Sequence, residues 1–301
     1  MLNALRDVIS SVFVQFMPPL PRKSYTFECD EAASRYTIRL KHGTEWFHCH
    51  RFPEKFEAFF IEPKNGNKIA CLYVKACESP KYTLLFSHGG TVDLGNLCNF
   101  FYTLGNRLNC NIFSYDYSGF GESTGKPTEK NVYADAEAAY DVLTTKYGLS
   151  DNQIILYGQS LGTAASVYLS LKHEVKGVVL HSPFLSIARI FMPAMHGSEA
   201  NTRFYDSFAK YLSFKLIFNL ILIIILFTLS VDNIGKVTVK ILIIHGTNDR
   251  VVPISHAQKL YKLCQNPVTP LWVDGGGHDN LYTYETYLSR LKKFVDFDLK
   301  N

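Results

Sequence analysis

ILYGQSLGTAAS, residues Ile155 to Ser166, sets Ser160 between Gly158 and Gly162. The apolar run before it, IILY, reads as a strand, and the small residues after it read as a helix beginning around Leu161. A strand that turns straight into a helix leaves so little room that side chains beside the serine would collide with neighbouring backbone. Glycines on both sides remove that clash and leave Ser160 Oγ exposed at the end of the sheet. The helix N-terminus beneath it favours negative charge developing there. GxSxG in this strand-to-helix context is the signature of a nucleophile elbow.

Working outward, Tyr25 to Ala76 reads as short strands and turns. YTIRL and AFFIEP lead to the turn Asn65-Gly66-Asn67 and then IACLYVKA, a hairpin signal that implies an antiparallel opening. After it come apolar runs of four to six residues, TLLFS, NIFSY, IILYG, GVVLH, ILIIH and PLWVD, separated mostly by stretches with helical spacing. Strand followed by helix, repeated, predicts a parallel sheet covered on both faces. The expected fold class is therefore α/β: a mostly parallel central sheet with an antiparallel N-terminal portion and helices on both faces. With 301 residues and 47% of them hydrophobic, the chain has enough apolar surface for a substantial core. No internal repeat or low-complexity linker divides it, so 23–301 is read as a single domain preceded by an arm at 1–22.

A serine hydroxyl is a weak nucleophile at neutral pH and needs a histidine base and an orienting carboxylate, which in this chain order follow the serine. Asp249 comes after the strand ILIIH and the loop GTN, and of the histidines only His256 and His278 come later. His256 lies in SHAQKLY, which has helical spacing. His278 follows LWV and DGGG, a loop at a strand's C-terminal end, and is the better base. Asp232, Asp274 and Asp279 remain as alternative acids, but none ends a buried strand followed by a turn as Asp249 does. The oxyanion formed on attack needs two N–H donors. Leu161 supplies one, and Gly90, in the run TLLFSHGG, is assigned the other. His88 precedes the serine and is read as pinning that loop by a hydrogen bond.

Other features resemble chemistry without completing it. Phe47-His48-Cys49-His50 would put both histidines on one face of a strand, yet no further ligands stand at suitable spacing for a metal. Asp116 to Ser123 is glycine-rich after a strand but lacks the third glycine of a dinucleotide fingerprint, and is read as a shaped loop beside the pocket. Ser182 follows GVVLH, but Pro183 and the lack of flanking glycines make it a poor elbow.

The excess of 31 Lys and Arg over 27 Asp and Glu gives a net charge of only +4, too small and too dispersed for a nucleic-acid footprint. The seven cysteines form neither a CxxC pair nor a regular framework, which points to reduced thiols in a cytosolic setting. Arg6 and Asp7 interrupt any secretory core near the start. Leu2, Leu5, Ile9, Val12, Phe13 and Phe16 recur at helical spacing until Pro18 to Pro21 stop the helix. This amphipathic arm suits either a membrane interface or a face of its own domain.

YTLLFSHGG with VDLGN, CNIFSYDYSGFGES, YADAEAAY, IILYGQSLGT, VVLHSPF, ILIIHGTND and PLWVDGGGHDNLY together resemble the α/β-hydrolase superfamily, and within it the α/β-hydrolase domain-containing protein 17 group of palmitoyl-protein depalmitoylases. The likeness runs from about Phe59 to Phe297. It implies Ser160, Asp249 and His278 as the triad, no metal or cofactor, and hydrolysis of S-acyl cysteine thioesters on membrane-associated proteins at the cytoplasmic face of membranes. Oxygen-ester hydrolysis by the same triad and a catalytically inactive membrane-bound scaffold are the competing expectations.

Two departures stand out. The resembled group typically carries an N-terminal cysteine cluster that is palmitoylated, whereas the first cysteine here is Cys29. Leu212 to Val231, LSFKLIFNLILIIILFTLSV, is long enough to span a bilayer. One crossing there would put Ser160 and the Asp249–His278 pair on opposite sides, so the sheet could not assemble. Residues 209–231 are read instead as a hydrophobic insertion or a translated intron near the lid region. If the segment is genuine, it forms either a membrane-dipping helix or a packed one.

Overall fold

The computed structural model describes residues 20–30, 35–41, 48–185 and 233–300. The amphipathic segment at 2–16 and the hydrophobic stretch at 209–231 lie outside the described residues.

One ten-stranded sheet organises the chain. Its strands are β1 (Tyr25–Asp30), β2 (Arg35–Leu40), β3 (Phe56–Ile61), β4 (Ile69–Val74), β5 (Tyr82–Ser87), β6 (Cys110–Tyr115), β7 (Ile154–Gln159), β8 (Gly177–His181), β9 (Ile241–Gly246) and β10 (Leu271–Val273). Their order across the sheet is β1-β2-β3-β4-β6-β5-β7-β8-β9-β10. Pairings from β1 to β4, and of β4 with β6, are antiparallel. From β6 onward every pairing is parallel. This is the mostly parallel sheet with an antiparallel opening that the alternation of strands and helical stretches predicts, and it is the arrangement that the resemblance to the α/β-hydrolases implies. The hairpin also forms, with β3 and β4 paired from Phe56↔Val74 to Ile61↔Ile69.

The central strands are apolar throughout because helices cover both faces. Alternation along β5 sends Leu84 and Phe86 to one side and Leu85 to the other. Leu85 joins a core with Ala136, Ala139 and Leu143 of α2 (Glu129–Thr145), Ala165 and Leu169 of α3 (Gly162–Ser170), and Leu260 of α4 (Ile254–Leu263). Leu84 and Phe86 join a second core with Phe101 and Leu104 of α1 (Leu94–Leu108) and Leu291 of α5 (Glu285–Lys293). Caps set the helix ends. Asp93 and Asn96 form a reciprocal capping box at the start of α1, and Asn109 closes it in the left-handed region at φ 53°. Thr128 accepts the Asn131 N–H at the start of α2.

The chain builds β6 on one side of β5 and then crosses to place β7 on the other. In an open parallel sheet such a reversal leaves a crevice beyond the strands' C-terminal ends. Ser87 and Gln159 end the two strands that flank it.

The Phe47 to His50 stretch corrects one expectation. His48–Arg51 is a single helical turn, not a strand. The strand that would have put alternating residues of this stretch on one face does not form. Among the described residues, no three histidine, cysteine, aspartate or glutamate side chains form a group able to hold a metal ion. All seven cysteines are free thiols.

Candidate active site

Ser160 follows the last residue of β7 with φ at 48°, in the left-handed region that L-residues adopt only at a cost. Its backbone is held there by neighbours: Ser160 N–H donates to His181 O at 2.9 Å, and Ser160 O accepts from Thr163 N at 2.9 Å. The glycines earn their places sterically. A Cβ on Gly158 would overlap the Gly162 carbonyl, and one on Gly162 would overlap the Ser87 carbonyl of the adjacent strand. Helix α3 starts at Gly162, one residue after the expected Leu161.

His278 lies between two partners. Its Nε2 is 3.0 Å from Ser160 Oγ and its Nδ1 is 2.7 Å from Asp249 Oδ2. A carboxylate only accepts, so Nδ1 carries the proton and Nε2 is left to accept from the serine hydroxyl. Asp249 is itself fixed: its Oδ1 accepts the N–H groups of Val251 at 2.9 Å and Val252 at 2.8 Å. Burial pushes the Asp249 carboxyl up, but the hydrogen bonds from His278 and the Val252 N–H outweigh it, and the group stays below the usual carboxylate range. The structure thus brings Ser160, His278 and Asp249 into one hydrogen-bonded chain, although 118 residues separate the serine from the histidine.

Of the alternative acids, Asp274 accepts from Thr247 Oγ1 at 3.3 Å, and Asp232 lies outside the described residues. His256 is on α4, its Nδ1 accepting the Leu185 N–H at 3.3 Å. Ser182 also adopts a positive φ, 50°, and donates to His278 O at 3.4 Å, so it braces the histidine's loop.

The loop after β5 is anchored from below. His88 Nδ1 bonds Gly89 O at 2.8 Å, and its Nε2 lies 3.1 Å from Asp116 Oδ1. Tyr117 O–H donates to His88 O at 2.7 Å. Asp116 also accepts from Tyr25 O–H at 2.5 Å and from Leu94 N–H at 3.0 Å, which ties β1, β6 and the start of α1 to the loop. Full burial raises the Asp116 carboxyl despite the His88 contact. The loop passes beside the serine: a Cβ on Gly89 would sit 3.8 Å from Ser160 Cβ. Leu161 N–H, at the helix start, belongs to the first turn, whose N–H groups have no intrahelical acceptor.

Two histidines at strand ends were not anticipated as part of the site. His245, the penultimate residue of β9, donates through Nε2 to Val252 O at 2.8 Å, with the same nitrogen 3.3 Å from Asp249 Oδ2. Burial lowers its pKa, so the ring stays neutral. His181 ends β8 wholly buried, its Nδ1 sharing a hydrogen bond with Tyr157 Oη at 2.9 Å, which meets Tyr287 Oη at 2.6 Å. Burial drives the His181 pKa down to about 3. The sequence signal for both is the same: a histidine closing an apolar strand run, read as strand rather than as support for the loop beyond.

The geometry supplies a hydroxyl next to an unprotonated imidazole nitrogen and a carboxylate behind the ring. That combination performs nucleophilic acyl transfer.

Comparison with known proteins agrees with this architecture. The family model described as "Serine aminopeptidase, S33" matches residues 78–217. A Pyrococcus furiosus esterase superposes with a TM-score of 0.61 over 85% of this chain and 97% of the esterase, at 17% identity, which speaks to fold alone. The mouse α/β-hydrolase domain-containing protein 17C is 43% identical over 88% of this chain and 75% of its own length. The human protein 17B is 45% identical over 286 residues, 95% of this chain and 90% of its own. The chain belongs to the α/β-hydrolase domain-containing protein 17 family.

Proposed function

We propose that the protein is a serine hydrolase that removes long-chain acyl groups, palmitoyl among them, from cysteine thioesters of membrane-associated proteins. The observation that carries this reading is His278 bridging Ser160 Oγ and Asp249 at hydrogen-bond distance on both sides. Ser160 attacks the thioester carbonyl as His278 Nε2 takes its proton, while Asp249 holds the ring and stabilises the imidazolium. Gly90 and Leu161 N–H groups receive the oxyanion. The C–S bond then breaks, with His278 returning the proton to the departing thiolate. Water enters, gives its proton to His278 and attacks the acyl-serine, and the fatty acid leaves as the serine hydroxyl is restored. A cysteine thiol, with pKa about 8.5, is a far better leaving group than an amine, so collapse of the intermediate asks little of the general acid.

On this reading the enzyme works peripherally at the cytoplasmic face of membranes, where its S-acylated substrates reside. Among the described residues no helix is long and apolar enough to cross a membrane.

The test is fluorophosphonate labelling of wild type beside Ser160→Ala, followed by turnover of a palmitoyl-cysteine peptide and of its matched oxygen ester. Labelling confined to wild type, with thioester turnover, is the expected outcome. Cleavage of the oxygen ester alone would overturn depalmitoylation. An unlabelled wild type would overturn serine catalysis and favour a scaffold.

A further inference from the structure

A cavity of about 680 Å³ lies on the side of the sheet covered by α1 and α5, within the volume range of small-molecule pockets. Its inner end is built from chain neighbours of the candidate site. Thr91 and Val92 follow Gly90, Gln159 precedes Ser160, and Asp279 follows His278. His181, whose carbonyl holds the Ser160 N–H, joins them. From there the cavity follows α1 from Asn96 to Arg107, a rise of about 16 Å along the helix.

Its body is apolar. Leu97, Phe100 and Leu104 line it from α1, and Tyr287 and Leu288 line it from α5. Phe100 and Tyr282 close over it with ring centroids 5.6 Å apart. The Tyr287 hydroxyl is bonded to Tyr157 and the Tyr157 hydroxyl to His181 Nδ1, which leaves His181 Nε2 as a buried lining nitrogen without a partner. Burial keeps the His181 ring uncharged. Asn96, Thr103 and Arg107 of α1, all exposed, also line it.

We propose that this groove is the acyl-chain site: the fatty chain of the thioester runs from Ser160 past Gln159 and His181 between α1 and α5. The inference rests on the acyl hydrolase reading above and assigns its substrate pocket. A long channel that starts among the serine's chain neighbours, is apolar through its body and keeps its charged lining groups, Asp279 and Arg107, exposed suits a hydrocarbon. An extended polypeptide would leave its amide groups against Leu97, Leu104 and Tyr287 without partners.

The test is kcat/KM for thioesters of one small thiol, with acyl chains from butanoyl to hexadecanoyl, below their micelle concentrations. Each methylene moved from water into the groove should raise kcat/KM by up to about fourfold until the groove is full. Leu97→Trp, which fills it, is expected to lower the hexadecanoyl-to-butanoyl ratio by about tenfold or more. Phe100→Ala, which empties it, should move the optimum toward longer or bulkier chains, and Leu171→Ala, on the exposed far side, should keep the wild-type profile. Hexadecanoate binding to Ser160→Ala protein, measured by calorimetry, reads the groove without any chemistry and should weaken about tenfold with Leu97→Trp added. If thioesters are not turned over but hexadecanoate binds and Leu97→Trp weakens it, the depalmitoylase reading fails and the groove stands. Identical chain-length profiles and identical hexadecanoate affinity in all variants would overturn the groove. So would variants whose effects follow the length of peptide on the thiol side at a fixed acyl chain, since the occupant would then be polypeptide.

Discussion

His245 Nε2 stands 3.3 Å from Asp249 Oδ2, four residues along the chain, while donating to Val252 O at 2.8 Å. Asp249 Oδ2 therefore faces two imidazoles, His278 at 2.7 Å and His245 behind it. The Val252 backbone is held from both directions, with its N–H on Asp249 Oδ1 and its carbonyl on His245. The carboxylate is locked into one rotamer by its own loop.

Replacing His245 with leucine should loosen that loop. The Val252 carbonyl loses its donor, a loss of about 1–3 kcal/mol of stability, and Asp249 is free to turn from His278. Misplacing a catalytic group by about an ångström costs up to about a hundredfold in rate, so kcat/KM is expected to fall between tenfold and a hundredfold. His245→Gln can put an amide N–H near the Nε2 position and should restore most of both. Equal kinetics for wild type and His245→Leu would show that Asp249 needs no such support.

The His181 ring predicts a pH signature in stability. Its folded pKa is depressed to about 3 from an ordinary 6.5. Between those values the unfolded chain binds a proton that the folded protein refuses, so stability is intact above about pH 6.5 and declines as pH falls toward about 3. Urea unfolding of wild type and His181→Leu across this window should give a difference that slopes by up to about 1.4 kcal/mol per pH unit. Asp249, whose carboxyl is also depressed, acts in the same direction only below its ordinary value of 3.8 and is common to both proteins. A flat difference curve would mean that His181 is protonated in the folded state.

These two histidines mark where the sequence stops being readable. The sheet could be read because strands buried on both faces must be apolar along their whole length, as in IILYG and ILIIH. Gly158 and Gly162 could be read because close backbone approach leaves glycine little competition. Asp249 and His278 emerged from chain order and from their places after strands. His245 and His181 close such strands too, but their roles depend on partners that no local pattern specifies: a carbonyl in the next loop, and the Tyr157 to Tyr287 bond that spans 130 residues. The histidines of Phe47 to His50 misled because two alternating positions are too few to separate a strand from a helical turn.

Ser160 stores backbone strain at the position where the proposed mechanism puts the nucleophile. At φ 48° a glycine pays no Cβ penalty, whereas alanine pays about 1–2 kcal/mol. Ser160→Gly and Ser160→Ala both lose the hydroxyl and its bond to His278, so their difference isolates the backbone. Both should be inactive, with Ser160→Gly the more stable by about 1 kcal/mol, read as a higher melting temperature by a few degrees. Equal melting temperatures would mean that the elbow relaxes when the hydroxyl is removed.

Gly162→Ala should be far more damaging than its single added carbon suggests. The new Cβ would overlap the Ser87 carbonyl, which is backbone of a central strand and cannot rotate aside. Either β5 and β7 separate or α3 shifts, and each disturbs the core formed by Leu85, Leu156 and Ala165. A loss of about 3 kcal/mol or more is expected, since overpacking against rigid backbone lies at the upper end of the range for such changes. Gly148 provides the comparison. It has φ 63° but nothing within 4 Å of an added Cβ, so Gly148→Ala carries only the conformational cost of about 1 kcal/mol and Gly148→Asn less still. Chemical denaturation of the three variants should place Gly162→Ala well below the other two, and a Gly162→Ala protein as stable as Gly148→Ala would show that α3 can move off the sheet without penalty.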